Sequence, residues 1–130
     1  MSGLIFTFND EDFEIDEFYK SLMFQEIMDG GFSRNERDVM LVIFRKTVHF
    51  NKWSDRIGNH WLCKAVGIGE NTLRATLRQL EAKGLIDIKR SSGGRSISPK
   101  RFSLFSLSDE FATMVFNRWL KAKEENGFFV

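Results

Sequence analysis

The sequence predicts a mostly helical α+β fold in which two helices joined by a tight turn lead into a β-hairpin. A helical pattern from Asn59 to Val66 stops at the turn Gly67-Ile68-Gly69. A second pattern covers residues 70–83, and Gly84 follows it, where a glycine often ends a helix. Two short β-like runs then flank a basic Gly/Ser loop, at residues 85–89 and 102–105. This order is typical of a winged helix-turn-helix, here with a flanking helix on each side.

Composition limits the class of protein. With 130 residues, of which 42% are hydrophobic, the chain can form one domain with a buried core. No run of about 18 apolar residues predicts a membrane span, and the acidic N-terminal stretch does not resemble a signal peptide. The single cysteine, Cys63, permits no internal disulfide, in agreement with a reducing compartment. We therefore expect a cytoplasmic protein with no membrane partner.

The charges are divided unevenly along the chain. Residues 1–38 carry ten acidic and three basic side chains, a net charge of −7, whereas residues 39–105 carry thirteen basic and four acidic ones, a net of +9. Residues 106–130 have a net charge of −1, so the formal total of +1 hides a basic middle segment. Positive charge concentrated on one unit favours a polyanion as partner. A solvated surface of mixed charge is the alternative.

The N-terminal region is expected to contain one helix. Residues 1–12 fit either a short strand or a loose arm, and the apolar spacing over residues 13–28 predicts a helix that ends at Gly30-Gly31. Ser33-Arg34-Asn35-Glu36 has the form of a capping box, which predicts a second helix over residues 34–48. This helix is apolar on more than one side, so we expect it to be the central buried one.

Three features complete the expected architecture. Ile57 is placed in a short third strand that pairs with the hairpin, and Ser108-Asp109 caps a last helix over residues 110–123. That helix is expected to cover the core, with pairing to a second copy as the alternative. The apolar tail at residues 127–130 is expected to fold back or to contact a partner. We expect one compact domain with three parts. Residues 1–32 are an acidic arm and a helix, residues 33–107 are the winged helix-turn-helix, and residues 108–130 are the last helix and the tail.

The second helix of the motif carries the expected function. Its buried side is defined by Leu73, Leu77 and Leu80, so its outer face is a stripe at i, i+3, i+4 and i+7, formed by Asn71, Arg74, Ala75 and Arg78. The major groove admits a helix, and there Arg74 and Arg78 can pair with guanine while Asn71 pairs with adenine. A solvated face with ordinary charges is the alternative. Two residues of the first turn are expected near the DNA backbone or a cytosine amine, Glu70 and Thr72.

The basic loop after this helix is the predicted wing. Gly93-Gly94 makes it pliable, and its basic side chains can meet phosphates or reach the minor groove. A flexible surface hairpin without a DNA role is the alternative. The residues assigned to the wing and the DNA backbone are Lys46, Lys52, Arg56, Lys89, Arg90, Arg95 and Lys100.

No enzyme chemistry is predicted, and no cofactor or metal is expected. The sequence has neither a Walker loop nor GxGxxG. His49 and His60 have no cysteine or carboxylate partners at metal-ligand spacing. Cys63 falls where the two helices of the motif cross, so we expect it to be buried and inert.

One further stretch resembles a known family. Residues 45–55, RKTVHFNKWSD, resemble the signature RKTxGFNKxxD of the bacteriophage replication protein O family, with His49 where the family usually has glycine. The resemblance continues through the helix-turn-helix and covers residues 33–90. It implies a phage or prophage protein of a bacterial host cell, whose winged helix binds repeated sites at a replication origin, usually as a dimer.

The function expected is therefore sequence-specific binding of double-stranded DNA in replication. A phage transcriptional regulator is an alternative that only the location of its DNA sites distinguishes. An alternative of another class is a winged-helix protein that binds and inhibits a host protein. The oligomeric state stays open, as does contact with a replication or transcription protein of the phage or host.

Overall fold

The helix-turn-helix and its hairpin lie at the centre of the chain. The structure, a computed structural model, describes residues 3–90 and 102–125. Strands β1 and β2 form one sheet, and the other three strands form an antiparallel sheet in the order β3-β5-β4. The predicted α+β winged helix-turn-helix with flanking helices is confirmed. The elements are β1 (Ile5–Phe8), β2 (Glu11–Glu14), α1 (Glu17–Asp29), α2 (Arg34–Lys46), a 3-10 helix (Val48–Phe50), β3 (Ser54–Gly58), α3 (Asn59–Val66), α4 (Glu70–Ala82), β4 (Ile86–Lys89), β5 (Phe102–Leu107) and α5 (Asp109–Glu125).

The N-terminal region departs from the prediction. The helix predicted from residue 13 begins only at Glu17, because Phe13 belongs to β2, which pairs with β1. Asn9 and Asp10 join the two strands with positive φ values of 52° and 63°, a conformation that Asn and Asp tolerate in tight hairpins. Asp16 then caps α1 by accepting a hydrogen bond from the Tyr19 backbone N–H at 2.9 Å. Of the two alternatives for the N-terminal stretch, the strand is therefore correct for the part that the structure describes.

The second helix begins as predicted and ends two residues earlier. Both hydrogen bonds of the Ser33–Glu36 capping box are present. The helix stops at Lys46 rather than residue 48, because Thr47 has left helical geometry and its hydroxyl donates to the Ile43 carbonyl at 2.6 Å. The strand expected around Ile57 is present as β3 and pairs with β5.

The turn between α3 and α4 has the predicted geometry. Gly67 adopts a positive φ of 81°, and its N–H donates to the Cys63 carbonyl at 2.8 Å. A side chain would make that conformation unfavourable, which explains the glycine. Cys63 is 7% exposed, and burial raises the pKa of its thiol. Gly84, just after α4, also has a positive φ, of 70°.

Helix α5 covers the core, as expected, and spans a longer range than residues 110–123. The Tyr19 hydroxyl donates to the Ala112 carbonyl at 2.9 Å, and Trp119 Nε1 donates to Asp16 at 2.8 Å. The ring of Phe116 stacks on Phe6 of the N-terminal hairpin, with 4.5 Å between centroids. Helices α1 and α5 and the hairpin thus pack together behind the winged unit. Within residues 3–90 and 102–125, no helix is long and apolar enough to cross a membrane.

Candidate nucleic-acid interface

Helix α4 presents an exposed face opposite its buried leucines. Leu73, Leu77 and Leu80 are 1%, 4% and 0% exposed, and they fix the helix on the core. The four residues of the predicted stripe are exposed: Asn71, Arg74, Ala75 and Arg78. The helical pattern of leucines therefore leaves one polar side of α4 available to a partner.

The exposed face of α4 has two parts, which we call the crest, opposite the core, and the flank, beside the sheet. At about 100° per residue, Asn71, Ala75 and Arg78 point most nearly away from the buried leucines. Arg74 is turned from this crest toward the three-stranded sheet. It forms an ion pair with Glu70, one turn earlier on α4, at 3.8 Å. The structure therefore turns Arg74 further toward the sheet than Arg78, although the two remain neighbours one turn apart and line the same cleft.

A cleft lies between α4 and the three-stranded sheet. Its floor is apolar and consists of Leu77, Ile88 and Phe105. Among the described residues, no lining side chain is acidic. The polar lining is made of groups that can donate hydrogen bonds: Asn59, Arg74, Arg78, Arg90 and Ser103. Hydrogen-bond donors above an apolar floor can bind an anion.

The three arginines of this cleft differ in their partners. Arg90, at the base of the wing, forms a two-pronged pair with Glu81 of α4, at 3.2 Å from Nη1 and 2.8 Å from Nη2. The hydrogen bond to Glu81 raises the pKa of the Arg90 guanidinium. Arg74 is paired with Glu70, whereas Arg78 has no ion pair within the part of the chain that the structure describes. Arg78 therefore has the least compensated positive charge of the three.

The first turn of α4 is exposed at both predicted positions. Thr72 is exposed, and its carbonyl accepts a hydrogen bond from the Thr76 hydroxyl at 2.8 Å. Glu70 lines a second, smaller cleft with Asn59, Leu73 and Arg74. Glu70 therefore faces the start of α3, away from Thr72.

Two predicted backbone contacts lie on the other face of the sheet. Arg56 and Lys89 both pair in register with Leu104, so the three side chains share one face. Phe105, the next residue of β5, is on the opposite face and lines the cleft beside α4. The structure does not bring Arg56 and Lys89 together with the arginines of α4. The sequence could not indicate this, because the face depends on the register of strands from distant segments.

The remaining predicted backbone contacts lie elsewhere. The Lys46 ammonium sits over the ring of Trp61, 4.4 Å from its centroid, and Lys52 is 3.9 Å from Asp55. Arg95 and Lys100 of the predicted wing lie outside the described residues, as does the apolar tail at 127–130.

Sequence reasoning missed three residues, two of which line the clefts beside α4. Asn59 begins α3 and lines both clefts, and Ser103 of β5 lines the larger one. Trp61 is 45% exposed, and the Lys46 ammonium lies over its ring. A tryptophan on an otherwise polar helix face was an available signal, whereas Asn59 and Ser103 gave none, because only tertiary structure brings them to α4.

Comparisons with known proteins place the sequence beside one family. A family model described as Bacteriophage replication protein O matches residues 17–101. No curated protein matches the sequence. Similar solved structures include a possible transcriptional regulator from Methanosarcina mazei Go1, with a TM-score of 0.46 and 9% identity over 95% of this chain and 94% of that one. They also include a MarR-family transcriptional regulator from Silicibacter pomeroyi, with a TM-score of 0.44 and 19% identity over 87% of this chain and 68% of that one.

Proposed function

The chain belongs to the bacteriophage replication protein O family, and we propose from this premise that it binds double-stranded DNA sequence-specifically, with α4 in the major groove. One observation carries the proposal: α4 exposes a polar crest on a helix that the core holds by three buried leucines. A helix presented in this way fits the width of the major groove.

Two residues of the crest are suited to base recognition. Arg78 can donate two parallel hydrogen bonds to O6 and N7 of a guanine, and Asn71 can pair with N6 and N7 of an adenine. Arg78 is free to do so because it has no ion pair among the described residues. Each good bidentate pair contributes about 1–3 kcal/mol of discrimination against the wrong base. Thr72, exposed in the first turn, is the third candidate contact.

The proposed contacts to the DNA backbone are made by residues around α4 and not by α4 alone. Arg90, at the base of the wing, is the candidate for a phosphate next to the reading helix. Lys46, Arg95 and Lys100 remain candidates for phosphates elsewhere along the duplex. Arg56 and Lys89 face away from α4, so we assign them to phosphates only where the duplex extends past the wing. Phosphate contacts of this kind set affinity and register without reading sequence.

The proposed role is binding of sites at a replication origin, in the cytoplasm of a bacterial host. The family supports replication over transcription, and a regulatory role at promoters is the second candidate. The two roles differ in where the bound sites lie and share the same α4 surface.

The proposal is tested by selecting bound fragments from the sheared source genome and titrating the enriched ones against salt. We expect a repeated sequence to be enriched, with affinity that falls steeply as salt rises, because phosphate contacts release counterions. Repeats clustered within an origin support the replication role, and sites over promoters support the regulatory one. Absence of enrichment over random DNA would contradict sequence-specific binding.

A further inference from the structure

We propose that the cleft between α4 and the three-stranded sheet binds one backbone phosphate of the DNA, held by Arg74, Asn59 and Arg90. This inference rests on the proposed function and deepens it, because it assigns Arg74 to the DNA backbone. The sequence pattern alone had placed Arg74 among the base contacts.

The chemistry of the cleft matches a phosphate. Asn59, Arg74 and Arg90 all present N–H donors. Among the described residues the lining of the cleft includes no carboxylate, and the two nearby ones, Glu70 and Glu81, are each paired with one of its arginines. Leu77 and Phe105 on its floor are 4% and 0% exposed. An apolar floor reduces the screening of the attraction between the guanidinium groups and a bound phosphate.

Arg74 is directed toward this cleft. Its position on α4 is on the flank beside the sheet, where it forms an exposed ion pair with Glu70 at 3.8 Å. Arg74 and Asn59 line both the larger cleft and the smaller one next to it. Arg74 therefore lies beside the start of α3, whereas Arg78 lines only the larger cleft and Asn71 lines neither of the two.

The start of α3 adds a second anion-attracting feature. No side chain caps this helix at Gly58, and the first N–H groups of a helix have no partners within it. Unpaired N–H groups and the helix dipole both favour an anion at this end. Asn59 is the first residue of the helix, so its side chain and the N-terminus of α3 favour the same ligand.

Arg90 completes the cleft from the wing. Its two terminal nitrogens each bond one oxygen of Glu81, and a guanidinium has five N–H donors in all. The remaining donors can serve a phosphate while Glu81 fixes the position of the group. Glu81 is thus a positioning residue, which holds Arg90 at the base of the wing against α4.

The test is a scan of the enriched DNA site with neutral methylphosphonate linkages, one linkage at a time. Wild type is compared with Arg74→Gln and with Arg34→Gln, which removes the same charge from an exposed position on α2. At one linkage we expect wild type to lose about 5- to 10-fold in affinity, in keeping with the loss of one charged contact. Arg74→Gln should show a smaller loss there, because Asn59 and Arg90 remain, and Arg34→Gln should lose as much as wild type.

Affinity for random DNA separates this inference from the proposed function. We expect Arg74→Gln to weaken binding to the enriched site and to random DNA by the same factor, and to lower the salt slope by about one. If wild type binds both DNAs equally, the proposed function fails, and the salt slope of Arg74→Gln on random DNA still tests the cleft. A loss of affinity confined to the enriched site would assign Arg74 to base recognition and overturn the inference.

Inorganic phosphate is the other ligand that presents the same charged oxygens to the cleft. Inorganic phosphate and chloride are compared at equal ionic strength by the thermal unfolding of wild type and Arg74→Gln. No difference between the salts, together with the linkage-specific effect, supports the DNA backbone as the source. A stabilisation by phosphate that Arg74→Gln abolishes, without any linkage-specific effect, would overturn the assignment to DNA.

Discussion

Lys83 Nζ lies 2.6 Å from Oε2 of Glu36, which ties the end of α4 to the first turn of α2. The other carboxylate oxygen of Glu36 accepts the Ser33 N–H at 3.0 Å. Glu36 is 3% exposed, so this one side chain caps a buried helix and anchors the helix proposed to enter the major groove. The position of α4 therefore depends on a contact between residues far apart in sequence.

Replacement of Glu36 by Gln should destabilise the fold by about 1–2 kcal/mol, because it removes a charge-assisted hydrogen bond to Lys83 while an amide oxygen still caps Ser33. Because Lys83 is 53% exposed, water solvates its ammonium group once the pair is broken, which favours the lower part of that range. Urea denaturation measures the change, with Lys83→Gln as the matched variant from the other side of the pair. A free energy of unfolding equal to that of wild type would contradict the anchoring role.

Stability should fall in acid because two carboxylates have lowered pKa values in the folded state. Lys83 lowers the pKa of Glu36. Burial alone would raise that of Asp16, but hydrogen bonds from Lys123, Tyr19 and Trp119 outweigh it. Groups of this kind stabilise the fold above their unfolded pKa values, near 4, and lose that contribution as pH falls through the folded values.

The measurement for this prediction is the urea midpoint between pH 7 and pH 3. Wild type should lose stability below about pH 4.5, and Asp16→Asn should lose less over the same interval, since one of the two groups no longer titrates. An unchanged acid dependence in Asp16→Asn would show that Asp16 does not contribute.

The turn glycine should tolerate no side chain. Gly67→Ser is expected to cost about 1–2 kcal/mol, because its φ of 81° is unfavourable for any residue with a Cβ. Gly69→Ser is the matched control: its φ is −77°, its Cβ would meet nothing within 4 Å, and a serine there can cap α4. Thermal unfolding compares them, and equal effects of the two substitutions would show that backbone strain does not distinguish them.

Local signals explain how much of the fold the sequence predicts. The Ser33–Glu36 box, Gly67 and Gly84 each act within a few residues, so the helix-turn-helix and its hairpin follow from them directly. The sequence left a strand at residues 1–12 as one of two alternatives and placed the start of the helix too early, because Phe13 fits both a strand of period two and the helical stripe that continues into α1.

The candidate site is only partly predictable, because its cleft joins distant segments. The exposed crest of α4 follows from the spacing of Leu73, Leu77 and Leu80. Whether Arg74 faces the crest or the cleft depends on where Asn59 and Arg90 lie in the folded chain. In the same way, only the strand register shows that Lys89 faces away from α4.

Recognition of bases by the crest of α4 is measured by one ratio: the affinity for the enriched site divided by that for random DNA. We predict that Arg78→Gln lowers this ratio by about 5- to 150-fold, the equivalent of about 1–3 kcal/mol for one bidentate base contact. Arg34→Gln, which removes the same charge elsewhere, should leave the ratio unchanged. Equal losses on both DNAs for Arg78→Gln would show that α4 contributes charge without reading sequence.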